Sequence, residues 1–175
     1  MTDDDTLDME PEDTSARDLD EDGVCEVLKS EPFGVLSMCD DGVPYGVPMS
    51  FGYHDGDIYF EFGTADEDGR KFEVLETNPV ASLTVYAVDR SRWGDSTANV
   101  LPTGFAWASV IATGRVEEVN NPSDEARDAI FEARRPSPAN PWGGSMAETE
   151  LSFYRMDIEN VEGRVAGGKN PAEDD

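Results

Sequence analysis

The sequence VPYGVPMSFGY, residues 43–53, contains the strongest strand signal in this chain. Its odd-numbered positions are all apolar: Val43, Tyr45, Val47, Met49 and Phe51. Because successive side chains of a strand point to opposite faces, we expect this face to fill the core and the other to stay nearly bare. Pro44 and Pro48 both lie on the bare face, so one edge of the strand lacks two N–H groups and cannot be fully paired. A flat ligand could approach the backbone there, although the same residues also suit an edge strand protected against aggregation.

Shorter apolar runs on either side of this segment are bounded by turn signals. One run, 33–39, ends at Asp40-Asp41-Gly42, and another, 57–62, begins after His54-Asp55-Gly56, so both are predicted to be strands of hairpins. Further strands are predicted over 80–88, 105–119 and 150–164, the last containing a turn. Helices are predicted over 19–30, 70–77 and 121–135, the last with Asn121 at the cap and Pro122 at its first position. Some six strands with short flanking helices predict an α+β protein built on a small antiparallel β-barrel.

The charge of the chain is its most unusual bulk property. It has 39 acidic and 13 basic residues, a formal net charge of −26. Such repulsion opposes a compact state in dilute salt, but in molar salt the screening length falls to roughly 3 Å and the repulsion largely disappears. We therefore expect a protein of a halophile's high-salt cytoplasm. Its single domain, residues 19–164, is expected between an acidic disordered tail, 1–18, and a C-terminal tail, 165–175.

The same composition argues against several classes of partner and site. A nucleic acid or an anionic membrane surface would meet a repulsive field, so neither is expected to bind. No run approaches the ~18 apolar residues of a membrane-spanning helix, and the N-terminus lacks the features of a signal peptide. Cys25 and Cys39 are isolated, and the only histidine, His54, lies in a polar turn, so no metal site is predicted.

One basic pair stands out against this acidic background. In FEFGTADEDGRKFEVLETNP, residues 60–79, Arg70 and Lys71 directly follow a glycine, between a strand-like run and a helix-like run. The N–H groups at a helix start favour an anion, and an arginine can hold a phosphate through two parallel hydrogen bonds. The pair therefore predicts a phosphate site. The alternative is two solvated cations that pair with the acidic residues at 66–68.

Six motifs occur in a characteristic order and spacing. They are PFGVLSM at 32–38, VPYGVPMSFGY at 43–53, IYFEF at 58–62, GRKFEVLETNPVASLTV at 69–85, WASVIATGRVEEV at 107–119 and FYRMDIENVEGR at 153–164. In this order the chain resembles the pyridoxamine-phosphate-oxidase-like family of FMN-binding split barrels, nearest the branch of nitroimidazole-resistance reductases. The resemblance spans residues 21–164 and implies a split barrel.

The resemblance also implies a cofactor and a partner. In such proteins two chains pair as a homodimer, and FMN lies in a groove at their interface. The isoalloxazine ring would run beside the backbone of one strand, at Val47, Pro48, Met49 and Ser50. The ribityl chain and phosphate would lie near the end of the next strand, at Phe62, Gly63 and Thr64.

Four more positions acquire roles from the resemblance. Arg70 and Lys71 match the family's phosphate-binding pair. Ser109 matches a position whose side chain contacts the flavin, and Trp142 could cover the ring from the partner subunit.

These features favour an FMN-dependent oxidoreductase that uses a reductant and a small-molecule substrate. No catalytic side chain is nominated, because flavin chemistry does not require one. The alternatives are a carrier of flavin, deazaflavin or haem without turnover, and a ligand-free structural dimer. The nitroimidazole-resistance branch often has a histidine where this chain has Phe62-Gly63-Thr64, which argues against haem and nitro-reduction. The substrate residues of a true pyridoxamine-phosphate oxidase are not recognisable either, so that reaction is not favoured.

Overall fold

The structure is a computed structural model that describes residues 16–63, 69–88, 107–133 and 151–166. The loops predicted within 89–104 and 136–149 lie outside these residues, as do most of the two predicted tails. The strands are β1 (Arg17–Asp18), β2 (Phe33–Asp40), β3 (Val43–Ser50), β4 (Gly52–His54), β5 (Asp57–Gly63), β6 (Val80–Val88), β7 (Trp107–Glu118) and β8 (Leu151–Ala166). The helices are α1 (Glu21–Ser30), α2 (Arg70–Thr77) and α3 (Asp124–Ala133). None of these three helices is long and apolar enough to span a membrane.

The strands form one antiparallel sheet that curls without closing. Its order is β3-β2-β6-β7-β8-β5-β4, with β1 paired to β8. The longest ladder joins β7 to β8, and the two ends of the sheet are β3 and β4. The predicted α+β fold with an antiparallel split β-barrel is confirmed.

Both predicted hairpin turns are present. Asp41 and Gly42 have φ values of 47° and 82°, and Asp55 and Gly56 have φ values of 51° and 87°. Two consecutive residues with positive φ are typical of the tight turns whose twist matches that of antiparallel strands. The turns fix the β2–β3 and β4–β5 registers, with Asp40 opposite Val43 in the first hairpin.

The core lies inside the curled sheet and is closed by α1 and α2. Alternate residues of the strands are buried, as the sequence patterns predicted, and the largest fully buried side chains include Leu36, Phe51, Ile58, Phe60 and Phe62. The apolar face of α1 and the middle of α2 contribute buried side chains to this core. Each such side chain contributes roughly 1.5–3 kcal/mol when it leaves water, so this packing positions the surface residues described below.

The segment at 43–53 is two strands, not the one strand that was predicted. The ladder between β2 and β3 ends at Ser50, and β4 then pairs with β5 at the other end of the sheet. A Cβ on Gly52 would lie 2.6 Å from backbone atoms of Ala129 and Ile130, so α3 packs directly on the chain at this point. The buried Phe51 therefore marks the place where the chain leaves one end of the sheet for the other.

Three other boundaries differ from the prediction. The cap of α3 is Ser123, whose hydroxyl accepts a hydrogen bond from Ala126 N at 3.1 Å, so the helix begins after the predicted Asn121 and Pro122. β8 is continuous, and a bulge in its pairing with β7 replaces the predicted turn. Arg17–Asp18 pairs with β8 at Arg164 and Val165, so strand pairing extends beyond the predicted domain limits at both ends.

Candidate functional site

The sheet is interrupted between β3 and β5. β2 pairs with one edge of β3 along all of Val43–Ser50, and among the described residues no strand pairs with the other edge. The ladder to β2 continues past Pro44 and Pro48, so their missing N–H groups face the unpaired edge. Cα atoms of β3 and β5 approach within 8 Å without pairing. We call this gap the β3–β5 opening.

The two faces of β3 differ as the alternation predicted from Tyr45 to Met49, but Val43, predicted to fill the core, is 56% exposed beside the hairpin turn. Tyr45, Val47 and Met49 are half-buried and pack against the core. Pro44, Gly46 and Pro48 are exposed on the other face, whereas Ser50 at the end of the strand is half-buried. Of the residues predicted to run beside a flavin ring, Pro48 therefore offers an open surface, and Val47 and Met49 can offer only backbone atoms and part of a side chain.

Arg70 and Lys71 begin α2 at this opening. The predicted helix over 70–77 is confirmed, and its N-cap, Gly69, makes no side-chain hydrogen bond to the first turn. The guanidinium carbon of Arg70 lies 4.4 Å from the ring centroid of Tyr45 on β3, and Lys71 Nζ lies 5.3 Å from that of Phe62 on β5. The basic pair thus spans the opening, with one cation on each side.

Arg70 has a carboxylate partner that the sequence did not indicate. Its Nε and Nη2 lie 2.9 Å and 2.8 Å from Oδ2 of Asp40, the last residue of β2. The side chain of Arg70 remains 51% exposed, and that of Asp40 remains 39% exposed. The acidic residues at 66–68, predicted as alternative partners, lie outside the described residues.

Lys71 is surrounded by aromatic rings. Its Nζ lies 4.5 Å from the ring centroid of Phe72, and within the described part of the chain no carboxylate forms an ion pair with it. The rings of Phe62 and Tyr154 stack behind it at 4.5 Å. Burial, and then the charge of Glu118, raises the pKa of Tyr154, so its phenol stays neutral at physiological pH. Within the described residues, no carboxylate therefore competes with an added anion for Lys71.

The end of β5 forms the other side of the opening. Phe62 is 1% exposed as a whole residue and belongs to the core, so it presents almost no surface to a ligand. Gly63, which follows it, is half-buried at the strand end. Thr64 and Trp142 lie outside the described residues, and their predicted roles stay predictions.

Ser109 lies well away from the opening. Ser50 lies opposite Phe33 of β2, β2 pairs with β6, and Ser109 of β7 lies opposite Tyr86 of β6, so Ser109 is three strands from Ser50. At roughly 4.8 Å per strand this separation is about 14 Å. Ser50 shares β3 with Tyr45, the ring beside Arg70, but lies at the end of that strand farther from Asp40, and Ser109 lies three strands away.

Sequence reasoning missed Asp40 as a partner of Arg70, and Tyr45 and Tyr154 as rings beside the two cations. These contacts join residues far apart in the chain; Asp40 and Arg70 are 30 positions apart. The signal that could have revealed Asp40 was the hairpin register, which places Asp40 and Tyr45 near each other on β2 and β3.

Comparison with known proteins places the fold in a family. A family model described as pyridoxamine 5'-phosphate oxidase matches residues 20–165. The chain belongs to this family. The resemblance noted in the sequence is thereby confirmed at family level. No curated protein has significant similarity to the chain.

Solved structures of other proteins share the fold. A FAD-binding protein from Mesorhizobium loti is 26% identical, with a TM-score of 0.62 over 86% of this chain and 98% of its own. A FAD and haem binding protein from Mycobacterium smegmatis is 17% identical, with a TM-score of 0.59 over 87% and 74%. A candidate 5-nitroimidazole antibiotic resistance protein from Bacteroides thetaiotaomicron is 18% identical, with a TM-score of 0.61 over 86% and 87%. At that identity the last comparison shows the fold alone, so the predicted closeness to the nitroimidazole-resistance branch has only distant support.

Proposed function

We propose that this protein binds FMN at the β3–β5 opening and uses it to transfer electrons from a reductant to a small-molecule substrate. The observation that carries the proposal is the basic pair Arg70–Lys71, which spans the opening beside a proline-containing strand edge. The FAD bound by the related Mesorhizobium protein supports a flavin as the ligand.

The residues around the opening fit the parts of FMN. Arg70 and Lys71, together with the N–H groups at the start of α2, suit a phosphate dianion. The exposed Pro44–Pro48 face leaves room for a flat ring beside the backbone of β3. Bound flavin would supply redox chemistry, and the protein would hold the ring, position it and limit access of water to it.

A homodimer completes this site. Phe33 and Tyr86 are 64% and 60% exposed on adjacent positions of β2 and β6, and Val35 and Ile111 extend the same apolar surface, which we call the outer face. A surface of this kind is typical of an interface. If a second copy covers it, the partner subunit's Ser109 can approach a flavin that Ser109 of the same chain, about 14 Å from Ser50, does not reach.

The dimer can be tested by light scattering in molar KCl. Tyr86→Glu places a charge in the outer face and should convert the dimer to a monomer. Val161→Glu is the matched control, because Val161 is also exposed, at 41%, but lies on the opposite side of the sheet beside α1. A wild-type monomer, or equal effects of both variants, would contradict the proposed interface.

The acidic composition supports a cytoplasm that accumulates salt as the site of action. A net charge of −26 opposes folding in dilute buffer and is tolerated where the screening length is roughly 3 Å. The phosphate anchor must then depend on direct hydrogen bonds, since exposed Coulomb attraction is screened under the same conditions.

A second candidate is a carrier of flavin, deazaflavin or haem without turnover. The position of the only histidine favours a carrier without turnover. His54 pairs with Asp57 at the start of β5, about 17 Å along the strand from Phe62. A histidine so placed cannot act as proton donor at the opening. It cannot ligate haem there either, which leaves flavin and deazaflavin as the better cargoes.

Cofactor identification in concentrated salt tests the proposal. Protein purified in molar KCl should be yellow, and mass spectrometry of the extracted chromophore should give the mass of FMN and not that of FAD or a deazaflavin. Bleaching by NAD(P)H and recovery with an electron acceptor would support the oxidoreductase. Stable colour without turnover would support the carrier, and failure to bind any added flavin would overturn both.

A further inference from the structure

Two contacts within the protein hold the Arg70 side chain. Its Nε and Nη2 atoms lie on one oxygen of Asp40, and its guanidinium plane lies over the ring of Tyr45. A long, flexible side chain normally loses rotamer freedom when it binds an anion. Here two contacts already restrict it.

The contact with Asp40 uses only one edge of the guanidinium. An arginine has five N–H donors in a planar fork. The Nε–H and one Nη2–H face Asp40, which leaves both hydrogens of Nη1 and one of Nη2. The remaining edge, between Nη1 and Nη2, can bind two phosphate oxygens at once. The Arg70 side chain is 51% exposed, so a ligand can reach this edge.

The position of Asp40 is itself fixed by the fold. It closes the β2–β3 hairpin opposite Val43, directly before the tight turn at Asp41 and Gly42. A carboxylate held by a hairpin register has less freedom than one in a loop. Asp40 therefore provides a fixed point for a side chain that begins 30 positions later.

We propose that Asp40 is a positioning residue of the phosphate site: it holds one edge of Arg70 so that the opposite edge binds a phosphate monoester. This inference rests on the proposed flavin function and names the group that sets its phosphate selectivity. A negative charge beside the site would repel phosphate in dilute buffer. In molar salt the screening length of roughly 3 Å is shorter than the separation of two anions held on opposite edges of one guanidinium, so this repulsion is largely screened.

Binding of FMN and of riboflavin, which lacks the phosphate, separates these effects. Affinities would be measured by flavin fluorescence in molar KCl for wild type, Asp40→Ala and Asp40→Asn. Asp40→Ala should weaken FMN binding about tenfold, the loss of one well-placed charged hydrogen bond, and change riboflavin binding by less than about twofold. Asp40→Asn keeps an acceptor oxygen and should restore FMN affinity to within about threefold of wild type. Asp41→Asn is the charge-matched control, since it removes the neighbouring carboxylate and should change neither affinity.

Each other result overturns the inference in a recognisable way. Tighter FMN binding by Asp40→Ala would show that Asp40 competes with phosphate, and equal losses for FMN and riboflavin would show a general structural role. Equal wild-type affinities for the two flavins would remove the phosphate site while leaving flavin binding intact. If wild type binds neither flavin, the proposed function fails together with the inference.

Discussion

The β7–β8 ladder and the β3–β5 opening show two different uses of one sheet. In the ladder, Trp107–Glu118 pairs continuously with β8 apart from one bulge, and every alternate residue of β7 from Ala108 to Val116 is buried. At the opening, β3 keeps one edge unpaired and contains two prolines, and one cation lies on each side of the gap. The difference indicates that the core is stabilised by the ladder side of the molecule, so the opening can keep an exposed edge for a ligand.

The largest expected effect is at the opening. Replacing both Arg70 and Lys71 by alanine should weaken FMN binding by at least about 100-fold, because two charged hydrogen-bonding groups leave the phosphate site. The affinity for riboflavin and the melting temperature should both stay close to their wild-type values. Fluorescence titration of both flavins in molar KCl measures this. Lys29→Ala, which removes an exposed helical lysine elsewhere, is the control. If the double variant bound FMN as tightly as the wild type does, the basic pair would not form a phosphate site.

Matched glycine substitutions compare the stability of the two regions. A Cβ on Gly114, at the bulge between β7 and β8, would meet the carbonyl oxygen of Asp157. Gly114→Ala should therefore lower the free energy of unfolding by about 3 kcal/mol. At the opening, a Cβ on Gly46 would lie 3.2 Å from Val35 Cγ1 and 3.8 Å from Ser37 Oγ, so Gly46→Ala should cost less than about 1 kcal/mol. Denaturant unfolding in molar KCl measures both, and a larger loss for Gly46→Ala would reverse the assignment of the stabilising region.

Salt should act on the stability of the whole fold. Raising KCl from dilute to molar concentration should increase the melting temperature by at least about 5 °C, or roughly 2 kcal/mol, because it screens a net charge of −26. Sucrose at equal osmolality, which does not screen charge, should give a smaller shift. A melting temperature that falls in KCl would contradict the proposed adaptation to salt.

The smallest expected effect is at the contact of α1 with β4, away from the opening. Cys25 Sγ lies 3.4 Å from the hydroxyl of Tyr53, and this hydrogen bond, with burial, raises the pKa of Tyr53 to about 12. The neutral phenol therefore contributes stability below pH 10 that is lost as the pH rises to about 12. Cys25→Ala should lower this pKa towards 10 and leave FMN affinity unchanged. Tyrosinate absorbance during alkaline titration measures the shift, and an unchanged Tyr53 titration would show that Cys25 is not its cause.

Local patterns were sufficient to predict most of the fold. The helix at 70–77, the strand at 80–88 and both hairpin turns were predicted with the correct bounds, because glycine, proline and aspartate mark the ends of these elements. The break at Phe51 was not predicted. Apolar alternation continues through it, and the change of strand partner depends on α3, whose residues are far along the chain.

The candidate site was predictable only in part. The basic pair and the bare face of β3 depend on neighbouring residues and could be read from the sequence. The Arg70–Asp40 contact and the distance of Ser109 from Ser50 depend on sheet order and register, which local patterns do not specify.

A crystal structure of the protein grown with FMN in concentrated salt would locate the phosphate and the ring. We expect the phosphate within hydrogen-bond distance of Arg70 and Lys71 and the ring alongside Val47–Ser50. FMN bound elsewhere, or an opening filled by the protein's own side chains with both cations directed into solvent, would contradict it.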